Sequence, residues 1–152
     1  MAIINYYQVS ERIASSGQPT ENDFQEIAAL GYNTVINLAL VTSEKAIINE
    51  GDIVTNLGLS YIHIPVLWNN PTQEQFNIFA SIMQQQSTNK VWVHCALNMR
   101  VSAFLYLYNI IYLNMPKEAA EGHLSNIWKP NEVWSEFITN GLNSASRSGS
   151  VN

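Results

Sequence analysis

A single cysteine and a nearby arginine are the residues of this 152-residue chain whose types and spacing favour covalent chemistry. Cys95 is the only cysteine, His94 precedes it, and Arg100 follows after four intervening residues. A thiolate is a strong nucleophile, and a guanidinium binds an oxyanion through planar, charge-assisted hydrogen bonds. The pattern therefore predicts attack on an anionic group, with Ser102 as a further polar side chain close by.

The segments on either side of these residues indicate how they are held. Residues 90–94 are apolar and rich in β-branched and aromatic side chains, which is typical of a strand buried on both faces. Residues 101–111 are apolar on most sides and predict a core helix. A tight strand-to-helix loop directs backbone N–H groups and the positive end of the helix dipole into one small space. We expect that space to favour an anion and the thiol there to lose its proton more readily.

Strands and helices alternate along the rest of the chain. This order predicts an α/β fold with a mainly parallel central sheet of four to five strands and helices on both faces. The predicted strands cover residues 12–16, 34–38, 61–66 and 90–94. Ligands in such folds bind at the carboxyl ends of the strands, which is where Cys95 lies.

Several helix boundaries are also marked in the sequence. Thr20 with Asp23, and Thr72 with Gln75, have the spacing of a capping box. Gly31 stands where a helix needs a left-handed residue to end. The remaining predicted helices are one over 43–56 ended by Gly58, one opened by Pro116 and one over 131–138.

Composition limits the organisation and the partners of the chain. We expect one domain over residues 1–143 and a Ser-rich disordered tail over 144–152. The net charge of −5 and the seven scattered basic residues argue against binding to nucleic acid or to an anionic membrane. The sequence shows neither a signal peptide nor a membrane-spanning run, so we expect a cytoplasmic protein. The three histidines have no metal-ligand spacing, and we expect neither metal nor cofactor.

The segment around Cys95 resembles the signature loop of cysteine-dependent protein tyrosine and dual-specificity phosphatases. In that family the pattern H-C-x-x-G-x-x-R-S/T joins a strand to a helix. The N-terminal part is similar to the same family over residues 12–17 and again over 30–38. The segment Ser16-Gly17-Gln18-Pro19 is most similar to the corresponding segment of a small bacterial branch of this family, whose members are also found fused to metallo-hydrolase domains. The resemblance covers about residues 12–113 and implies a phosphatase-like fold.

The resemblance also implies a role for each matching residue. Cys95 would attack phosphorus and form a phosphocysteine, on a substrate that is a phosphoprotein or a small phosphoester. Arg100 would clamp the phosphate oxygens, and His94 would help to organise the thiolate. Ser102 matches the residue that donates a hydrogen bond to the cysteine sulfur. Backbone N–H groups would hold the phosphate at Ala96, Leu97, Asn98, Met99, Arg100 and Val101.

Two features depart from the family pattern. The family arginine follows the cysteine after five residues, so an ungapped alignment places Val101 at the arginine position and Asn98 at the glycine. Asn tolerates positive φ better than other non-glycine residues, which makes that exchange reasonable. The general acid of the relatives is an Asp in the loop after the third strand, where this chain has Trp68, Asn69 and Asn70 and no carboxylate. A missing acid typically costs about 10²–10⁴ in rate.

Other residues near the predicted site have ordinary alternatives. Glu74 is a possible acid, although its place in the first turn of a helix explains it equally well. Trp68 either lines a pocket for a planar substrate or covers the core. His63 is interpreted as a core histidine and His123 as a surface residue.

Three functional hypotheses remain from the sequence. The first is a metal-independent phosphatase that works through Cys95. The second is a phosphatase-like module that binds phosphate or a phosphorylated ligand without useful turnover, which the missing Asp and the shifted Arg100 favour. The third is a thiol redox sensor, which ranks last because no second cysteine is present to resolve an oxidised thiol.

Overall fold

The computed structural model describes residues 2–151, with side chains described through residue 146. Its centre is a five-stranded sheet with the strand order β1-β2-β5-β3-β4. The strands are β1 (Tyr7–Gln8), β2 (Ile13–Ser16), β3 (Thr34–Asn37), β4 (Ser60–His63) and β5 (Val91–His94). β1 runs antiparallel to β2, and the other neighbours are parallel. The predicted α/β fold with a mainly parallel sheet is confirmed.

Six helices in the described part of the chain cover the sheet. They are α1 (Glu21–Ala29), α2 (Glu50–Asn56), α3 (Gln73–Gln85), α4 (Met99–Ile111), α5 (Lys117–Ile127) and α6 (Glu132–Val151). Both predicted capping boxes are present, because the hydroxyl groups of Thr20 and Thr72 accept from the third helical N–H and the side chains there bond back. Gly31 has a φ of 89°, as its position after α1 requires.

The central strand β5 separates two hydrophobic cores. Val91, Val93 and Cys95 pack in the larger core with α3, α4 and α6. Trp92 lies in the smaller core with α1 and α2. Successive side chains of a strand point to opposite faces, so His94 faces the same side as Trp92, which is the side of α2. The side chains of Cys95 and His94 therefore lie on opposite faces of the sheet, Cys95 in the larger core and His94 on the side of the smaller core.

Four boundaries differ from the sequence predictions. The edge strand β1 was not predicted, and a strand of two residues carries too little pattern to detect. The third predicted strand ends at His63. The helix predicted over 43–56 begins only at Glu50, because residues 43–49 form turns in which Lys45 has a φ of 64°. The last predicted helix does not end at 138.

The final helix also occupies the segment that was predicted to be a disordered tail. α6 continues through Val151, so residues 144–151 belong to its last turns, while Asn152 lies outside the described residues. Trp134, Phe137 and Ile138 bury the apolar face of α6 in the larger core. Because this packing holds the first part of α6 in place, the polar residues that follow can continue the helix. The composition of these residues by itself favours disorder.

Candidate active site

Cys95 lies directly after β5, at the carboxyl edge of the sheet. The residue is 1% exposed, and its N–H bonds to the carbonyl of Ser16 in the neighbouring strand at 3.4 Å. A cavity of about 170 Å³ opens over the thiol. The residues that line it are Trp68, Cys95, Ala96, Leu97, Met99 and Arg100. The structure therefore brings the predicted nucleophile, the predicted loop and the predicted arginine into one space.

Asn98 sets the path of the loop into α4. It is the N-cap residue of this helix and has a φ of 68°, the left-handed conformation expected for a residue in place of glycine. Its side-chain amide donates to the carbonyl of Asn5 at 2.8 Å and to the hydroxyl of Ser15 at 3.0 Å. The side chain of Asn98 thus fastens the loop to the N-terminal segment and to β2, which a glycine could not do.

The backbone of the loop leaves donors available around the cavity. Among the described residues, the N–H groups of Ala96, Leu97, Met99 and Arg100 form no hydrogen bond to another group of the chain. For Met99 and Arg100 this follows from their place in the first turn of α4, where no intrahelical acceptor exists. Convergent N–H groups at the N-terminal end of a helix attract an anion.

Arg100 is the second residue of α4, directly after the loop, and is buried to all but 6% of its surface. One terminal nitrogen donates to the carbonyl of Val66 at 2.9 Å, and Nε has no partner. The guanidinium carbon stands 5.9 Å from the ring centroid of Trp68. The spacing between Cys95 and Arg100, one residue shorter than in the family pattern, therefore still allows the guanidinium to line the cavity. The carbonyl of Val66 orients this guanidinium.

His94 takes part in a buried ion pair that sequence reasoning missed. Its Nε2 is 2.7 Å from the Glu50 carboxylate, and its Nδ1 is 3.1 Å from the carbonyl of Cys95. Gln18 donates to the second carboxylate oxygen at 2.7 Å. Burial favours a higher pKa for Glu50, but the hydrogen bonds and charge of His94 and the bond from Gln18 hold that pKa below its ordinary value. No motif marks Glu50, because it lies 44 residues from its partner.

The Ser102 hydroxyl forms two hydrogen bonds in the structure. It donates to the carbonyl of Met99 at 2.9 Å, which is a local bond within the first turn of α4. The same oxygen accepts from the indole N–H of Trp128 at 3.0 Å. Ser102 therefore links α4 to the end of α5, and its bond to the cysteine sulfur stays a prediction.

The loop after β4 contributes an aromatic side chain to the cavity, but no acid. Trp68 lines the cavity beside Arg100 and also packs against Trp128 and Trp134 at centroid distances of 5.3 and 5.9 Å, while a role in binding a planar substrate stays a prediction. Asn69 and Asn70, the predicted acid-loop positions, line a separate cavity against α6. Glu74 is exposed in the first turn of α3.

A carboxylate does lie on the other side of the loop. Glu44 lines a cavity of about 230 Å³ with Ile4 and Lys45, and this cavity shares Ala96 and Leu97 with the one over Cys95. Glu44 comes from the turns between β3 and α2, which were predicted to be helical. This acidic side chain comes from the connection between β3 and α2, whereas the resemblance places the acid in the loop after the third predicted strand.

The other two histidines differ from one another. His63 is half-buried and bonds to the carbonyl of Ala39, as expected of a satisfied core histidine. The surface position predicted for His123 is wrong, since this residue is only 3% exposed. It stacks on Tyr7 at 4.6 Å, and its Nε2 is 2.9 Å from the Ser15 hydroxyl. The β1–β2 hairpin, which was not predicted in full, covers the face of α5 that carries His123.

The described residues include neither a candidate metal-ion cluster nor a helix that could span a membrane. Within that part of the chain, no group of three or more His, Cys, Asp or Glu side chains is placed to hold a metal ion. No helix there combines the length and the apolar character required to cross a bilayer.

Comparison with known families decides the relationship of this chain. Residues 5–126 match the model of the phosphatase family described as "DSP-PTPase phosphatase fused to NAD+ Kinase". The chain belongs to this family. The match spans the elements from β1 through nearly all of α5, including the Cys95 loop, and confirms the resemblance to dual-specificity phosphatases.

Solved structures share the fold of this family member. A candidate phosphatase (DUF442) from Shewanella putrefaciens CN-32 is 32% identical, with a TM-score of 0.85 over 95% of both chains. TpbA from P. aeruginosa, solved in complex with pTyr, is 16% identical, with a TM-score of 0.71 over 89% of this chain and 83% of that one. The catalytic domain of the PP-IP phosphatase SIW14 from S. cerevisiae is 14% identical, with a TM-score of 0.74 over 91% and 86%. The latter two show the fold alone.

Curated relatives are much longer than this chain. The "Beta-lactamase hydrolase-like protein" of Xylella fastidiosa is 28% identical over 120 residues, which are 76% of this chain and 28% of that protein. The chain thus spans little more than a quarter of the length of this relative.

Proposed function

We propose that this domain hydrolyses phosphate monoesters through a covalent intermediate on Cys95. The observation that carries the proposal is the cavity over Cys95, in which the thiol, unpaired backbone donors and the Arg100 guanidinium converge. These are the groups that hold and attack a tetrahedral anion. The family to which the chain belongs supports the same chemistry.

The reaction has two displacements at phosphorus. The Cys95 thiolate attacks phosphorus, so that an S–P bond forms while the bond to the ester oxygen breaks. The loop N–H groups and the free Nε of Arg100 stabilise the phosphoryl oxygens during the transfer. Water then attacks the phosphocysteine, releases inorganic phosphate and restores the thiolate.

The leaving group also needs a proton, and the cavity supplies no carboxylate for it. Asn69 and Asn70 lie at a different cavity, so Glu44, which adjoins the loop at Ala96 and Leu97, is the better placed acid. Good leaving groups depart without a proton, whereas poor ones need it. We therefore expect turnover that depends steeply on the leaving group.

The cavity walls favour a particular substrate class. Trp68, Leu97 and Met99 form an apolar rim, and Arg100 is the one cation among the lining residues that the structure describes. This suits a single phosphoryl group on an aromatic or otherwise apolar carrier, such as phosphotyrosine or a small aryl phosphate, rather than a polyphosphate. The complex of TpbA with pTyr is a fold neighbour that binds such a group. A free thiol is best preserved in the reducing cytoplasm, where we place this activity.

The direct test is hydrolysis of an aryl phosphate with a good leaving group, p-nitrophenyl phosphate, by wild type and by Cys95→Ser. We expect turnover by wild type, loss of turnover in the variant, and trapping of the phosphocysteine by acid quench and mass spectrometry. Ser125→Ala, an exposed change on α5, serves as the matched control and should retain wild-type turnover. Equal activity of wild type and Cys95→Ser would refute the proposal.

A binding module is the second candidate function, and the absence of a carboxylate from the cavity favours it. Glu44→Gln separates the two candidates, with Glu74→Gln as the exposed control of identical chemistry. An enzyme that uses Glu44 should lose activity on alkyl phosphates while keeping activity on p-nitrophenyl phosphate. If no variant and no wild type turns over any ester, yet calorimetry detects binding of phosphate or vanadate, the domain is a binding module.

A further inference from the structure

The underside of the Cys95 loop holds a buried polar cluster that the proposed reaction does not itself explain. Glu50 on α2 and His94 at the end of β5 form an ion pair, and their residues are 3% and 0% exposed. We propose that Glu50 is a positioning residue that keeps His94 in the doubly protonated, positively charged form directly behind Cys95. The inference rests on the proposed function of Cys95, since it concerns the activation of that thiol.

The two hydrogen bonds of His94 determine the number of protons on its ring. Nε2 faces the Glu50 carboxylate at 2.7 Å, and Nδ1 faces the carbonyl of Cys95 at 3.1 Å. A backbone carbonyl and an ionised carboxylate can only accept hydrogen bonds. A neutral imidazole has a single N–H and would leave one of these contacts without a proton. Both contacts are satisfied together only by the imidazolium.

The carboxylate of Glu50 is held in the matching ionised form. Its other oxygen accepts from the Gln18 amide at 2.7 Å, and the Tyr61 hydroxyl faces the same group from β4. Gln18 and Tyr61 both present donors to Glu50. An ionised carboxylate accepts these bonds together with one from an imidazolium, whereas an amide at this position would have to donate to His94.

This arrangement acts on the thiol in two ways. The imidazolium donates to the carbonyl of Cys95 itself, so it fixes the first peptide of the loop that surrounds the phosphoryl group. It also places a positive charge one residue from the sulfur, within the low-dielectric interior, where a thiolate is stabilised by it. The titratable groups that face this site are Glu50 from α2, Tyr61 from β4 and Arg100 from α4.

The test variant is Glu50→Gln, which keeps the shape and the hydrogen-bonding length but removes the negative charge. His94 then accepts from the new amide through Nε2 and becomes neutral. We expect the pH profile of Cys95 alkylation by iodoacetamide to move upward by about one unit, so that the rate falls about tenfold on the acid side of the wild-type midpoint and reaches the wild-type rate at alkaline pH. A purely structural role for Glu50 would not shift this profile.

Asp52→Asn is the matched control, because it makes the same charge change on an exposed residue of the same helix. It should leave the alkylation profile unchanged. A double-mutant cycle with His94→Asn identifies the route of the effect, since Glu50→Gln should add nothing once the imidazole is absent.

A measurement on wild type keeps the test decisive even if the variants fold poorly. In ¹⁵N-histidine-labelled protein, both ring nitrogens of His94 should show the shifts of protonated nitrogen at neutral pH. One deprotonated ring nitrogen, or a wild-type alkylation profile in Glu50→Gln, would overturn the positioning role. A wild-type Cys95 that reacts no faster than a simple thiol and is not protected by phosphate would instead count against the proposed function, and against this inference with it.

Discussion

Two buried histidines in this protein occupy opposite faces of the sheet and are treated differently by their surroundings. His94 bonds through both ring nitrogens, one of them to the carboxylate of Glu50. His123 bonds through Nε2 to the Ser15 hydroxyl, while its Nδ1 has no partner. Burial without a countercharge lowers the pKa of His123 to about 4. The two residues are about equally buried, and they differ in that only His94 has a carboxylate partner.

The difference separates the two roles that a buried histidine can have. His94 is bonded to a carboxylate on the residue next to the candidate nucleophile, where the proposed positive charge would be useful. His123 holds the β1–β2 hairpin against α5 through Tyr7 and Ser15, where a charge would be unpaired and costly. Both networks reach the Cys95 loop, one through the carbonyl of Cys95 and the other through Asn98, which shares the Ser15 hydroxyl with His123.

The largest expected effect comes from removing the countercharge of His94. Glu50→Leu leaves the buried donors of His94 and Gln18 without an acceptor, and we expect it to reduce the free energy of unfolding by about 3 to 5 kcal/mol at neutral pH. Urea unfolding monitored by tryptophan fluorescence measures the change. Asp52→Leu on the exposed side of α2 is the control and should cost far less. A small effect of Glu50→Leu would mean that the pair is energetically neutral.

The second effect concerns His123 and acid. Its pKa is about 4 when folded and 6.5 when unfolded, so the unfolded state binds more protons between these values. The contribution of neutral His123 to the free energy of unfolding is fully present above pH 6.5 and is lost as the pH falls toward 4. It amounts to about 3 kcal/mol in total. His123→Gln keeps a donor toward Ser15 but cannot be protonated, so its stability should fall less over this range.

The control for the acid effect is His63→Gln, a half-buried histidine with a backbone carbonyl partner. This variant should show the wild-type loss of stability between neutral pH and pH 4. Because the pKa of Glu50 is lowered, its contribution to the free energy of unfolding is lost only at pH values below the ordinary carboxyl range. This loss is therefore separated from that of His123, which occurs at higher pH. Identical pH dependence of wild type and His123→Gln would contradict the neutral assignment of His123.

The smallest effect tests the single partner of His123. Ser15→Ala removes the oxygen that lies 2.9 Å from His123 and 3.0 Å from the Asn98 amide. Buried polar groups left without partners cost about 1 to 3 kcal/mol, and we expect a loss in that range in urea unfolding. Ser125→Ala, which removes an exposed hydroxyl on α5, should change stability by less than about 0.5 kcal/mol. Equal effects of both variants would show that water replaces the Ser15 hydroxyl.

Local patterns in the sequence predicted much of the framework around the site. The capping boxes at Thr20 and Thr72 and the left-handed Gly31 follow from neighbouring residues, and the left-handed Asn98 follows from its alignment with the glycine of the family pattern; all are present. The beginning of α2 was predicted seven residues too early, because the apolar spacing of 43–49 resembles a helix while the turns there depend on contacts with other segments. The placement of the acid-loop positions depended on how a loop packs against α6, which no local pattern encodes.

By itself, the sequence determined the α/β framework and the strand–loop–helix unit that presents Cys95, and the resemblance of its segments to known phosphatases indicated the family. The framework and the unit rest on periodicity, capping and spacing, which act over a few residues. The tertiary structure decided that Glu50 pairs with His94, that His123 is buried, and that Arg100 is oriented by the backbone of Val66. The contacts of these residues join positions that are 34 to 108 residues apart in the chain. The partner of each residue therefore depends on how the helices pack against the sheet. The charge of a buried group follows from that partner, so it is fixed only when the chain has folded.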